Sequence, residues 1–176
     1  MLIDLAIYAL GDSEPQISSS AFVHPEAVII GAVSIGSGTS VWPCAVLRGD
    51  TNSITVGANC SIQDGAVVHC TADLPTVIGD NCTIGHNAHL EGCTVHSDCL
   101  IGSGSLVLHQ VVVHSGALVA AGAVCPSGLE IPSQALAVGV PARIKENAAD
   151  RATMDYSLRS YRALTARYPK ELRRID

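Results

Sequence analysis

Aliphatic residues recur at intervals of six along most of this chain, and that period limits the fold more than any other feature. The runs are Val23, Ile29, Ile35, Val41 and Leu47; Val56, Ile62 and Val68; Ile78, Ile84 and Leu90; and Val95, Ile101, Val107, Val113 and Val119. Four positions after most of them stands a small or compact residue, among them Ala27, Thr39, Ala45, Cys60, Ala66, Cys82, Ala88, Cys99, Ser105, Ala117 and Ala123. Gly, Asn, Asp and Ser fill many places between. A period of six gives one short strand and one turn per repeat, and three repeats make a coil. The chain is therefore expected to be all-β, a parallel β-helix of hexapeptide repeats. A β-sandwich would keep a period of two.

Coils of such a helix stack at about 4.8 Å, so the repeat fixes which side chains are neighbours. The register gains three residues between Leu47 and Val56, where RGDTNS (48–53) reads as a polar loop. It gains four between Val68 and Ile78, where CTADLPT (70–76) is a second excursion and Pro75 stops a continuing strand. With those allowances, Arg48, His69 and Glu91 occupy one column in three successive coils. Asp64 and His86 form another, two residues after Ile62 and Ile84, on a different side of the prism. His86 would then meet His69 and Glu91 only across a subunit interface, as in a threefold assembly.

The chain has 176 residues, enough for one domain. Aromatics are 3% against 48% apolar residues, as a narrow bore lined by Val, Ile and Leu requires. A net charge of −6 argues against a nucleic-acid partner. The start, MLIDLAIYALGDSEP, lacks a basic leader and reads as a first strand; no run is long enough to span a membrane. Cys60, Cys82 and Cys99 fall in one interior column, which suits buried free thiols in a reducing cytoplasm. From Glu146 the composition changes to Ala, Leu, Arg and Tyr at helical spacing, with Met154, Leu158, Tyr161 and Leu164 in one stripe. The expected division is a β-helix over 1–145 and a packed helix over 146–176, ending near Pro169.

VWPCAVLRGD (41–50), SIQDGAVVH (61–69), IGDNCTIGHNAHLEGC (78–93), IGSGSLV (101–107) and VGVPAR (138–143) resemble the γ-class carbonic anhydrases and their close relatives. The resemblance covers nearly the whole chain. It implies a left-handed β-helix, a homotrimer, and a divalent metal, Zn²⁺ or Fe²⁺, held between subunits by three histidines. By position, His69 matches the first of these and His86 the one given to the neighbouring chain. Glu91 stands where the third belongs, and His89, two residues earlier, is a further candidate ligand. Arg48 and Asp50 match a pair that ties subunits together near the metal. Gln63 matches the glutamine that orients the metal-bound hydroxide, Asp64 is its neighbour, and Tyr161 could approach from the helix. The activity implied is reversible hydration of CO₂, a small-molecule substrate.

Glu91 departs from the family pattern. A carboxylate in place of an imidazole lowers the net charge of the site by one and should raise the pKa of a bound water. His₂Glu is nonetheless a sound ligand set for zinc or ferrous iron. Three functions stay open on the sequence: the hydration of CO₂; a metal-dependent hydrolase or lyase acting on a CoA thioester or a biosynthetic intermediate; and a metal-free trimeric scaffold in which Arg48 pairs with Glu91. Acyltransferases share the repeat, but no long loop bearing a catalytic histidine is evident. His96, His109 and His114 are expected to face solvent.

Overall fold

A computed structural model describes residues 5–175, so the first four residues of the expected N-terminal strand lie outside the described part. Every six-residue repeat contributes one short strand, and successive coils pair in parallel. The result is a three-faced, left-handed β-helix. One face runs through Val46–Val56, Val67–His69, His89–Glu91, Leu106–Val107 and Val124–Cys125. The second continues from the far half of Val46–Val56 through Thr76–Ile78, Thr94–Val95 and Val112–Val113. The third stacks Phe22–Val23, Ser40–Val41, Ser61–Ile62, Thr83–Ile84, Leu100–Ile101 and Leu118–Val119.

The periodic aliphatics fill the bore. Ile29, Leu47, Ile62, Val68, Ile84, Leu90, Ile101 and Val107 are fully buried, each contributing about 1.5–3 kcal/mol of burial. Stacking this tight leaves no room for side chains at some turns. A Cβ on Gly36 would come within 2.6 Å of the Gly57 backbone, and one on Gly79 within 2.7 Å of Ser97 N. These glycines sit one residue after Ile35 and Ile78, where the coils touch along the corner.

RGDTNS is not a loop. Val46–Val56 is one strand that bends across the corner between two faces. Gly31 pairs with Gly49, the register then shifts, and pairing resumes at Val33 with Ile54. The three added residues are absorbed as a bulge, because bare glycines on both rungs let the backbones stay paired up to the bend. The second excursion is a turn, closed by Thr71 and Leu74. The far end of the prism is capped by Arg143–Lys145, which pairs antiparallel with Leu136–Val138.

The helix Arg151–Glu171 starts at Asp150, whose carboxylate accepts from the Thr153 N–H. It runs two residues beyond Pro169, since a proline in the last turn forfeits only one i→i−4 bond. Its inner stripe lies on the third face of its own prism. Met154 is buried, and Tyr161 and Tyr168 stand edge-on to Trp42 at 5.4 and 4.9 Å. Four of the chain's six aromatic rings, Phe22, Trp42, Tyr161 and Tyr168, thus collect outside the bore, under the helix. Charge is segregated in the same way. Arg48 is the sole Lys or Arg before Arg143; the other cations follow it. Arg162 donates to Asn81 at 2.8 Å and Arg151 ion-pairs with Asp98, tying the basic helix to the acidic prism. No helix among the described residues is long and apolar enough to cross a membrane.

Cys60, Cys82 and Cys99 stack in the interior, each thiol donating to a carbonyl of the next coil at 3.0 to 3.2 Å. Cys70 and Cys93 are buried too, and burial pushes the Cys93 thiol up to about 12. Only Cys44 is exposed among the described cysteines. A thiol reagent at pH 8 is therefore expected to modify Cys44 quickly in the native protein and the remaining thiols only after unfolding, which timed labelling with mass spectrometry checks.

Candidate functional site

The column expected from the repeat is present. Arg48 pairs with His69, and His69 with Glu91, in three successive coils. All three directly follow a buried aliphatic (Leu47, Val68, Leu90), so each leaves the bore at the same edge of the first face. The buried Thr76 hydroxyl clamps two of these rungs: it donates to the His69 carbonyl and accepts from the Gly92 N–H at 2.8 Å.

Around His69 the contacts are dense. Its Nδ1 lies 2.6 Å from Glu91 Oε1, and its Nε2 lies 3.0 Å from Asp50 Oδ1. Asp50 is ion-paired with Arg48. The Arg48–Glu91 pair expected of a scaffold does not form, because Asp50, two residues along the same strand, takes the guanidinium. Glu91 instead turns to imidazoles. Its Oε2 lies 3.1 Å from His109 Nε2 and 3.8 Å from His89 Nε2. His109 was expected to face solvent; it belongs to the site. It leaves Val107 on the coil next to Leu90 and swings across Gly92 to reach Glu91.

The second column is also as counted. Asp64 Oδ2 lies 3.0 Å from His86 Nδ1. On the other side of the ring, Tyr161 of the helix brings its hydroxyl to 3.1 Å from His86 Nε2. His86 lies in the turn that enters His89–Glu91, so the two columns flank one face at its opposite edges. A strand rises about 3.3 Å per residue, which keeps His86 and Glu91 of one chain far outside a shared coordination sphere of ~2.1 Å radius. Accordingly, no three His, Cys, Asp or Glu donors converge within the described residues of one chain. Gln63 stands in the turn next to Asp64. It is 4% exposed, and its backbone is held by Ile84 and Ala66 while its amide makes no side-chain hydrogen bond among the described residues.

The arrangement around His69 favours a cation. A neutral imidazole carries one N–H. With a carboxylate on each ring nitrogen, one contact would set lone pair against lone pair unless a positive charge, a proton or a metal ion, sits on it. The donor chemistry, imidazole and carboxylate, fits zinc or ferrous iron, provided a second copy brings another donor.

The same contacts act on the carboxylates. The hydrogen bond from His69 holds the Glu91 carboxyl below its ordinary value, outweighing burial, and His109 adds to the effect. For Asp50, burial pushes upward, but hydrogen bonds from His69 and Arg48 together prevail and lower it. Depressed folded values mean stability that is complete above the ordinary carboxylate range and lost as pH falls through the folded values. Melting temperature is therefore expected to drop on acidification below about pH 4.5, and Glu91→Gln to flatten that slope in thermal melts at stepped pH.

A family model for bacterial transferase hexapeptide repeats (six repeats) matches residues 75–107. Gamma carbonic anhydrase 2, mitochondrial, of Arabidopsis thaliana is 43% identical over 145 residues, 79% of this chain and 52% of that protein. The carnitine operon protein CaiE of Escherichia coli K12 is 38% identical over 146 residues, 83% of this chain and 74% of that one. The solved structure of a hexapeptide transferase family protein from Anaplasma phagocytophilum superimposes with a TM-score of 0.88 at 35% identity, over 94% of this chain and 98% of the other. The chain spans about half the length of the gamma carbonic anhydrases it matches. With these identities, the repeat match and the shared prism, the chain belongs to the γ-carbonic-anhydrase-like family of hexapeptide-repeat, left-handed β-helix proteins.

Proposed function

We propose that this protein is a metal-dependent enzyme of the carbonic anhydrase type, working in the cytoplasm as a homotrimer with its sites between subunits. The observation that carries the reading is His69, gripped by carboxylates on both nitrogens, at one edge of a face whose opposite edge holds His86. A closed ring of three prisms that abuts these edges joins His69 and Glu91 of one copy to His86 of the next. A divalent ion held by them, zinc or ferrous iron, supplies the Lewis acidity that makes water a nucleophile near neutral pH.

The remaining steps fall to the chain's own groups. Asp64 fixes the His86 ring through Nδ1, so Nε2 would be the donor atom once the Tyr161 hydroxyl yields it. Tyr161 stands beside that nitrogen, on a helix anchored by Trp42. Gln63 offers an amide that meets solvent at the surface of an otherwise buried residue, suited to orient the attacking water towards CO₂. Arg48, the one Lys or Arg before Arg143, holds Asp50 in place beside His69.

A second reading is favoured by Glu91. Its carboxylate gives up one unit of net charge relative to a three-imidazole set, which makes a bound water less acidic. A less acidic water yields a scarcer but more basic hydroxide, which suits a less reactive acyl carbon such as that of a CoA thioester; support comes from relatives on this fold that carry names other than carbonic anhydrase, a carnitine operon protein and a hexapeptide transferase family protein.

Metal analysis on protein purified without chelator or metal-affinity tag tests both readings, with Glu91→His beside it. Wild type is expected to carry about one equivalent of zinc or iron per chain. Glu91→His should hydrate CO₂ faster in a stopped-flow indicator assay, since the third imidazole restores the charge. Acyl-CoA turnover by a metal-loaded wild type that ignores CO₂ would establish the second reading. An empty wild type next to a filled variant would sink the metal-enzyme proposal.

A further inference from the structure

We infer that His109 is a positioning residue of the candidate centre: it grips the outer oxygen of Glu91 and so makes a carboxylate a workable substitute for the third imidazole. The inference rests on the metal reading above and adds a residue that the family pattern does not supply.

A glutamate has more freedom at its end than a histidine ring. To act as a fixed donor it must be held in place, and Glu91 is held at both oxygens. Oε1 lies on the His69 side, at 2.6 Å from Nδ1, and Oε2 lies 3.1 Å from His109 Nε2. His89 stands at 3.8 Å from the same oxygen, beyond hydrogen-bond reach, so the grip belongs to His109. In neutral His109, Nε2–H donates to Oε2. Ligating carboxylates are commonly anchored by such hydrogen bonds.

The backbone is shaped for this contact. Gly92 follows Glu91 with φ +60°, and a Cβ built on it would lie 2.9 Å from Leu74 Cβ and 3.3 Å from His109 Cδ2. A side chain at 92 would collide with Leu74 and crowd the imidazole of His109. Leu74 comes from the turn that the 70–76 excursion adds, so the excursion and the glycine together define the slot beside the ring. The His109 side chain is 43% exposed, and its truncation leaves no core cavity.

The test uses the full-length protein and measures zinc affinity by competition with a chromophoric chelator, with the visible spectrum of the cobalt-substituted form as a second readout. His109→Ala is expected to weaken zinc binding about 10–100-fold and to alter the cobalt spectrum while the melting temperature near neutral pH stays close to that of wild type. His109→Gln, whose amide N–H can still donate to Oε2, is expected to recover most of the affinity and the wild-type spectrum. Equal affinity and spectrum in His109→Ala would overturn the inference. Complete loss of metal in both variants would overturn it as well, in favour of direct ligation by His109. A wild type that binds no zinc at all would instead remove the metal reading itself, an outcome visible before any variant is compared.

Discussion

Everything in this molecule hangs on the hydrogen-bond ladder between stacked coils. Strands as short as two residues cannot be stable alone. They persist because each peptide group is paired with the coil above and the coil below, and because an aliphatic side chain beneath each strand is sealed from water. The ladder demands close contact at the corners, which the glycine column at 36, 57 and 79 provides. It also fixes register without slack, so residues separated by twenty or so positions become neighbours with defined direction. The site exists only as a product of that register.

The electrostatics follow from the same geometry. The prism sequence is acidic, with Arg48 as its lone strong cation before Arg143, and the helix returns most of the positive charge to one flank. Arg48 is consumed by Asp50, which leaves the Asp50–His69–Glu91–His109 edge rich in carboxylate and imidazole. On the other column, Asp64 and Tyr161 take both nitrogens of His86, which fixes the orientation of the ring.

Much of this was legible in the sequence, for a physical reason. A period of six says which residues point inward, and counting through two insertions was enough to align Arg48 with His69 and Glu91. The insertions themselves were harder. RGDTNS looks like a loop by composition, yet it is paired strand, because Gly31 and Gly49 let the backbones remain in contact up to a bulge. His109 was missed for a related reason. Its position lies off the column, and its reach to Glu91 depends on the absent side chain at Gly92, a contact made by a vacancy that no residue pattern announces. The helix showed the reverse case: its stripe was plain and Tyr161 was read as approaching the site, but that its hydroxyl meets His86 needed the tertiary fold to appear.

The column of Arg48, His69 and Glu91 has one more implication. Each rung is carried by its own coil, and each coil is held by its buried aliphatic and its ladder bonds, independently of what hangs outside. A substitution at such a rung rewrites the chemistry of the edge while leaving the scaffold's folding instructions untouched. The solenoid is in that sense a rack with exchangeable tools: natural variation can swap an imidazole for a carboxylate and refit the neighbouring rung, testing new reactions without first having to invent a new fold.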